Sequence, residues 1–238
     1  MKKILFLEWD SFGNPFMKSA FREAGFSVAD FPFPQSTVNT RNDEKLATDL
    51  AKKIMEEDAD AVFSFNYFPV AAIAAAACKV KYISWTYDSP SVQLYSKTID
   101  FPTNYAFVFD SYDVYRLNSL GAMNVYELPM AAADYSDITV SDKLMEAYGA
   151  DITMIGSMYS EEKHGFVKRL DNLDDYAKGF VKGVCEAQKK LYGISILEKS
   201  LSEDMVQRLQ KVAPITGSGD GYETMEQWRY VERGVDCG

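Results

Sequence analysis

The sequence predicts an α/β protein in which a doubly wound parallel sheet precedes a smaller helical appendage. Short β-branched or aromatic runs alternate with amphipathic helical stripes as far as residue 130, an order typical of a parallel sheet. The alternation stops after residue 155, and helical periodicity follows. With 238 residues, 47% of them hydrophobic, the chain is long enough to bury a sizeable core.

The first half of the sheet follows from three strand-like runs separated by two helical stripes. Strands are predicted at residues 4–8, 28–31 and 61–65, and the apolar stripe at 46–55 predicts the second helix. Asn14 and Pro15 open the first helix, and Gly25 follows it as a C-cap. This helix is expected to bury one apolar face, formed by Phe16, Met17, Ala20, Phe21 and Ala24.

The second half of the sheet has three more predicted strands, at residues 81–85, 105–110 and 125–128. A helix at 113–120, closed by Gly121, separates the last two strands. The helix at 69–78 is apolar on nearly every side. We favour burial inside the fold for this helix, and the alternative is a surface that binds a partner.

A change in character near residue 133 predicts a second region, in which a short helix at 143–148 precedes a strand at 152–155. A long helix is predicted at 173–192, and Ser202 is expected to cap another whose Met205 and Leu209 face inward. The predicted parts, in chain order, are a sheet domain at 1–132, a link at 133–150, a strand plus helical appendage at 151–213 and a flexible tail at 214–238.

Composition and charge exclude several classes of function. The formal net charge of −10 has the wrong sign for a nucleic-acid partner. No apolar run approaches the roughly 20 residues that span a bilayer. Three widely spaced cysteines and one histidine offer neither a disulfide framework nor a zinc site, which favours the reducing cytoplasm. No glycine-rich nucleotide fingerprint follows a strand, and we expect neither a cofactor nor a metal.

Minor features of the sequence have ordinary explanations. The glycine-rich run at 217–221 is predicted to be a flexible loop, and His164 is predicted to be a solvated surface residue. Cys78 and Cys185 lie on apolar helical stripes and are predicted to be structural thiols. Cys237, next to the C-terminal residue, is expected to react freely.

Polar residues follow the predicted strands, where an open parallel sheet forms its ligand crevice. Residues 8–14, 64–67 and 85–90 supply carboxylates, amides, hydroxyls and aromatic rings, a combination suited to a polyhydroxylated ligand. Asp10, Asp88 and Asp110 are the candidate acids. Each of them could equally well serve only to cap a helix or a loop.

The string Ser64-Phe65-Asn66-Tyr67-Phe68-Pro69 and the block Trp85-Thr86-Tyr87-Asp88-Ser89-Pro90 carry a family resemblance. With residues 94–98, 128–131 and 151–159, they resemble the N-terminal DUF3880 region of bacterial CgeB-like glycosyltransferases, which have the two-domain GT-B architecture. The resemblance covers most of residues 1–212. It implies that the sheet is the Rossmann-like, acceptor-side half of such an enzyme.

The resemblance also implies roles for individual residues. Asp88 is the candidate general base for an acceptor hydroxyl if the reaction inverts configuration, whereas a retaining reaction would need no such base. The candidate substrate-binding residues are Asp10, Asn14, Asn66, Trp85, Tyr87 and Ser89.

In the resembled family a second domain, C-terminal to this region, holds the nucleotide sugar, and this chain is expected to lack it. Its partners would then be a nucleotide sugar and a saccharide or protein acceptor only when that domain is present. The alternative is a non-catalytic module that binds a glycan or a protein through the helix at 69–78 and the helical appendage.

Overall fold

The computed structural model describes residues 2–34, 40, 42–89, 91–132, 138–155, 171–194, 196 and 200–212. The predictions for His164, Cys237, the loop at 217–221 and the tail at 214–238 lie outside these residues. The chain divides near residue 133 into two compact units, and each is described by itself.

The first unit is built on a parallel sheet of six strands, as the sequence predicts for its α/β class. Their order across the sheet is β2-β1-β3-β4-β5-β6, so β1 is an interior strand. The strands are β1 (Lys3–Glu8), β2 (Ser27–Pro32), β3 (Ala61–Phe65), β4 (Lys81–Thr86), β5 (Asn104–Val108) and β6 (Val125–Glu127).

Helices pack on both faces of this sheet, which makes it doubly wound. On one face Ile4 and Phe6 of β1 pack with the first helix, α1. On the other face Leu5 and Leu7 join the larger core, to which the next three helices contribute. The helices of this unit are α1 (Asn14–Glu23), α2 (Glu44–Glu56), α3 (Pro69–Cys78) and α4 (Ser111–Ser119), with short 3₁₀ turns at Val92–Tyr95 and Lys97–Asp100.

The apolar helix α3 is largely buried, as we expect from its composition. Val70, Ala71 and Ala75 are fully buried, and only Ile73 and Ala77 of the helix are exposed. The apolar surface of α3 is therefore covered by the unit itself, which removes most of the area that a partner would need.

The buried face of α1 differs from the prediction. Met17 and Phe21 pack against the sheet, but Phe16, Ala20 and Ala24 are exposed. Lys18 takes a buried position instead, with about a tenth of its side chain accessible. Hydrophobic periodicity could not predict this, because it assigns every lysine to the solvent face.

Burial of Lys18 is explained by the two carboxylates that surround its ammonium group. Nζ of Lys18 lies 2.8 Å from Oε1 of Glu8 and 2.8 Å from Oδ1 of Asp30, and 5.1 Å from the ring centroid of Phe6. Burial disfavours the charged amine, but the hydrogen bonds to Asp30 and Glu8 outweigh it and raise the pKa of Lys18. This ion cluster joins α1 to the ends of β1 and β2.

The second unit is helical. Leu173 and Ala177 pack against Met205 and Leu209, and Ser202 accepts a hydrogen bond from the Met205 amide, as the sequence predicts for that helix start. Its helices are α5 (Asp142–Tyr148), α6 (Asp175–Gln188) and α7 (Glu203–Val212). No helix in the described ranges is long and apolar enough to cross a membrane.

The predicted strand at residues 152–155 is wrong. These residues adopt no regular structure, and the side chains of Ile152, Met154 and Ile155 are all more than four-fifths exposed. A β-branched run becomes a strand only where a neighbouring strand supplies hydrogen-bond partners, and none of the described residues pairs with this segment.

Cys78 is expected to resist thiol reagents in the native protein. Its Sγ donates to the carbonyl oxygen of Ala51 over 3.5 Å, and burial raises the pKa of the thiol, so little thiolate is present at neutral pH. A variant with Cys185→Ser and Cys237→Ser isolates this thiol for labelling with and without denaturant. Labelling as fast in buffer as in denaturant would show that Cys78 is not a structural thiol.

Candidate functional site

Three loops meet beyond the carboxyl ends of β1, β3 and β4. Residues 9–13 follow β1, residues 66–68 follow β3 and residues 87–89 follow β4. In the sheet, β2 lies on one side of β1 and β3 lies on the other. The direction in which successive strands are added therefore reverses at β1, which is the switch point of the sheet. Open parallel sheets bind ligands at such a point. Hydrogen bonds between the three loops define the candidate site.

Asn66 and Asp88 form the central contact of the site. The Asn66 side-chain amide donates from Nδ2 to Oδ2 of Asp88 over 2.6 Å, and its Oδ1 accepts from the Tyr87 amide over 3.3 Å. Asn66 has a left-handed backbone, with φ of 57°, a conformation that asparagine tolerates better than most residues. The predicted binding residue Asn66 thus uses both ends of its amide to position Asp88 and its loop.

A buried chain of hydroxyl groups supports the backbone beneath Asn66. Oγ of Ser64 donates to the Asn66 carbonyl over 2.6 Å, so the Tyr82 hydroxyl 2.7 Å away must donate to Ser64. The oxygen of Tyr82 in turn accepts from the Phe68 amide over 2.9 Å. Burial raises the pKa of Tyr82 far above the physiological range, which keeps this donor protonated.

The loop after β1 is fastened to the end of β3 and to the loop after β4. Nε1 of Trp9 donates to the Phe65 carbonyl over 2.9 Å, and the hydroxyls of Ser11 and Tyr87 lie 2.9 Å apart. Nδ2 of Asn14 donates to the Trp9 carbonyl over 2.7 Å. Asn14, a predicted substrate-binding residue, is buried and holds the shape of this loop.

Aromatic rings form one wall of the site. The Tyr87 ring lies 5.4 Å from that of Phe65, 5.6 Å from that of Phe12 and 6.4 Å from that of Trp9, centroid to centroid. Phe65 and Trp9 belong to the packed interior, whereas Phe12 is 79% exposed. Burial and the charge of Asp88 raise the pKa of Tyr87, so its hydroxyl remains neutral.

Gly13 allows this wall to form. A Cβ atom at position 13 would lie 2.8 Å from two carbons of the Phe65 ring, closer than side chains pack. The backbone of Gly13 has an ordinary helical φ of −77°. The glycine is therefore required by the close approach of Phe65 and not by its own conformation.

The other predicted residues have different surroundings. Trp85 lies inside β4, half-buried, and its Nε1 donates to the Leu128 carbonyl over 3.4 Å. Asp10 and Ser89 are exposed in the loops after β1 and β4. Asp110 caps α4 by accepting from the Tyr112 amide over 2.8 Å, so for this acid the capping interpretation holds.

The site carries negative charge. Asp10 and Asp88 are exposed carboxylates, and the strand-end segments 8–14, 64–67 and 85–90 contain no lysine or arginine. Lys18 approaches Glu8 but is shared with Asp30, so its charge is already compensated. In the part of the chain that the structure describes, no group of three or more histidine, cysteine or acidic residues could hold a metal ion.

Trp9, Ser11 and Phe12 lie in the predicted segment 8–14 but are not among the individual residues that the sequence predicts for the site. All three lie in the loop that supplies Asp10, so position was the available signal. Their roles depend on contacts with Phe65 and Tyr87, which are more than 50 residues further along the chain.

Neither a family model nor a curated protein matches this chain.

Proposed function

We propose that this chain is the acceptor-side half of a GT-B glycosyltransferase-like protein that transfers a sugar from a nucleotide sugar. The observation that carries the proposal is the carboxylate of Asp88, which Asn66 holds by Oδ2 at the switch point of the sheet. Oδ1 of Asp88 makes no hydrogen bond with any described residue, so it is available to an incoming hydroxyl. The resemblance of residues 64–69 and 85–90 to the family supports the same function.

In the proposed reaction Asp88 acts as the general base. Its carboxylate takes the proton of an acceptor hydroxyl as that oxygen bonds to the anomeric carbon of the donor sugar. The bond from that carbon to the diphosphate breaks, and the nucleoside diphosphate leaves with the electron pair. This single displacement inverts the configuration at the anomeric carbon. Asn66 acts as a positioning residue, because it contacts Asp88 and the Tyr87 amide.

The negative charge of the candidate site supports a second domain as the source of the other half of the reaction. Positively charged side chains would stabilise the leaving diphosphate, and the side chains of the three loops are acidic or neutral. Alignment of donor and acceptor between two domains is worth about 7–11 kcal/mol of barrier. The acceptor-side half supplies only part of that alignment.

The 238-residue chain by itself is therefore expected to show no turnover. The chain and the protein expressed from its whole reading frame would each be incubated with nucleotide sugars and simple acceptors, and release of nucleoside diphosphate would be followed. We expect release only with a donor-binding domain present. Sustained turnover by the chain alone would refute the half-enzyme assignment.

A non-catalytic glycan-binding module is the second candidate, and the absence of cations from the segments 8–14, 64–67 and 85–90 favours it. A module of this kind would bind saccharides in the crevice without cleaving a nucleotide sugar. Saccharide binding with no turnover by the product of the whole reading frame would establish it and exclude the enzyme.

A further inference from the structure

Phe12 is the most exposed aromatic residue among the described residues of the sheet unit. Its side chain is 79% exposed, although its ring centroid lies only 5.6 Å from that of Tyr87 at the edge of the site. An apolar ring in water contributes little to the stability of the fold, because hydrophobic stabilisation follows the area that is buried. Its position at the carboxyl edge of the sheet, where open parallel sheets bind their ligands, suggests that a ligand covers it.

The loop that carries Phe12 is held in place by its neighbours on both sides. The Ser11 amide donates to the Trp9 carbonyl over 2.6 Å, and the Ser11 side chain pairs with Tyr87. The Asn14 amide donates to the Ser11 carbonyl over 3.3 Å. Because the residues flanking Phe12 are fastened, its backbone is held at a defined place, which lowers the entropy that the loop loses when a ligand stacks on the ring.

Two exposed carboxylates belong to the loops that carry Phe12 and Tyr87. Asp10 precedes Phe12 by two residues, and Asp88 follows the Tyr87 ring that Phe12 contacts. Carboxylates accept hydrogen bonds from hydroxyl or ammonium groups and repel anions. The apolar C–H face of a sugar ring complements an aromatic face, and its hydroxyl groups complement the carboxylates.

We propose that Phe12 is the stacking platform for the sugar ring of the acceptor, and that Asp10 and Asp88 make this subsite select neutral or amino sugars over acidic ones. The inference rests on the proposed function, whose acceptor subsite it defines. A nucleotide is disfavoured as the occupant because its phosphates would meet these carboxylates. Phe12 therefore contributes affinity for the sugar ring, whereas Asp10 and Asp88 determine selectivity by charge and Asp88 also performs the chemistry.

The test measures saccharide binding directly, by chemical-shift titration of the isotope-labelled chain. The probes are the methyl glycosides of glucose, glucosamine and glucuronic acid, together with their galacto forms. Within each series the three probes share the ring configuration and differ in charge. We expect the neutral and amino probes to bind and the uronic acids to bind more weakly, with the difference shrinking as salt is added.

The variants separate stacking from folding. Phe12→Ala is expected to raise the dissociation constant about 3- to 10-fold, and Phe12→Trp to keep it within about 2-fold of wild type. Tyr115→Ala, which removes an exposed ring from α4, is the matched control and should bind as wild type does. Thermal unfolding of each variant checks that its fold is intact.

Three results would overturn the inference: unchanged affinity in Phe12→Ala, equal affinity for the glucuronide and the glucoside, or no shift with any probe. Turnover is not part of this measurement. If the sugars bind through Phe12 and the product of the whole reading frame lacks transferase activity, the proposed function fails and the saccharide subsite stands.

Discussion

Replacement of Asp88 with asparagine is expected to lower glycosyl transfer by the product of the whole reading frame by about 10²–10⁴-fold, the range for loss of a general base. Asparagine keeps a side-chain oxygen that can accept the 2.6 Å hydrogen bond from Asn66, so the loop keeps its position. It cannot take a proton from the acceptor. Asp88 is exposed, and the free energy of unfolding should change by no more than about 0.5 kcal/mol.

Asp110→Asn is the matched control for this variant. It removes the same charge from the acid that lies beyond β5, the strand next to β4. Asparagine caps a helix about as well as aspartate does, so α4 should keep its cap. Initial rates with saturating donor and acceptor compare the two variants. Normal turnover by Asp88→Asn would disprove the assignment of Asp88 as the base and favour a retaining reaction.

Replacement of Gly13 with alanine is expected to destabilise the sheet unit by about 1–3 kcal/mol, the usual cost of overpacking. The new methyl group would lie 2.8 Å from the Phe65 ring. That ring is held between the rings of Phe6, Trp85 and Tyr87, so it cannot move away without disturbing the wall of the site. Saccharide binding should weaken together with stability. Denaturant unfolding and the shift titration measure the two effects.

Gly179→Ala is the control, because the same substitution is expected to raise the free energy of unfolding and not to lower it. Gly179 lies within α6, and a Cβ atom there would meet no atom within 4 Å. Alanine should stabilise this helix by about 0.5–1 kcal/mol, because glycine costs more conformational entropy there. If Gly13→Ala is as stable as wild type and binds as well, the close approach of Phe65 does not constrain the loop.

The sheet could be predicted because burial on both faces leaves a strong pattern in the sequence. β3 and α3 occupy the predicted residues 61–65 and 69–78, since every residue of β3 is buried and α3 is almost wholly apolar. The segment at 152–155 has the same local appearance and forms no strand. Local composition indicates that a segment can extend, whereas pairing depends on a neighbour that the sequence does not reveal.

The candidate site was predicted as a set of residues at one edge of the sheet but not as an arrangement of contacts. Strand-end positions pointed to Asp88 and Asn66, because parallel strands bring their carboxyl ends to one edge. The roles of Asn14 and Lys18 could not be predicted from the sequence, because both side chains are buried by the folded structure. Asn14 bonds to the backbone of its own loop, and Lys18 pairs with Asp30 of β2. Spacing along the chain does not report which polar side chain is turned inward.

The interior position of β1 has a consequence for synthesis of the chain. β1 pairs with β2 on one side, through residues 27–32, and with β3 on the other, through residues 61–63. As the ribosome releases the chain, the first strand made therefore keeps one open edge until the third has emerged. Deletion of residues 1–8 would have a related effect, because it would leave β2 without its neighbour and uncover the edge of β3. Exposed edges of this kind recruit other chains, so we expect the nascent chain to depend on chaperones in this interval of translation.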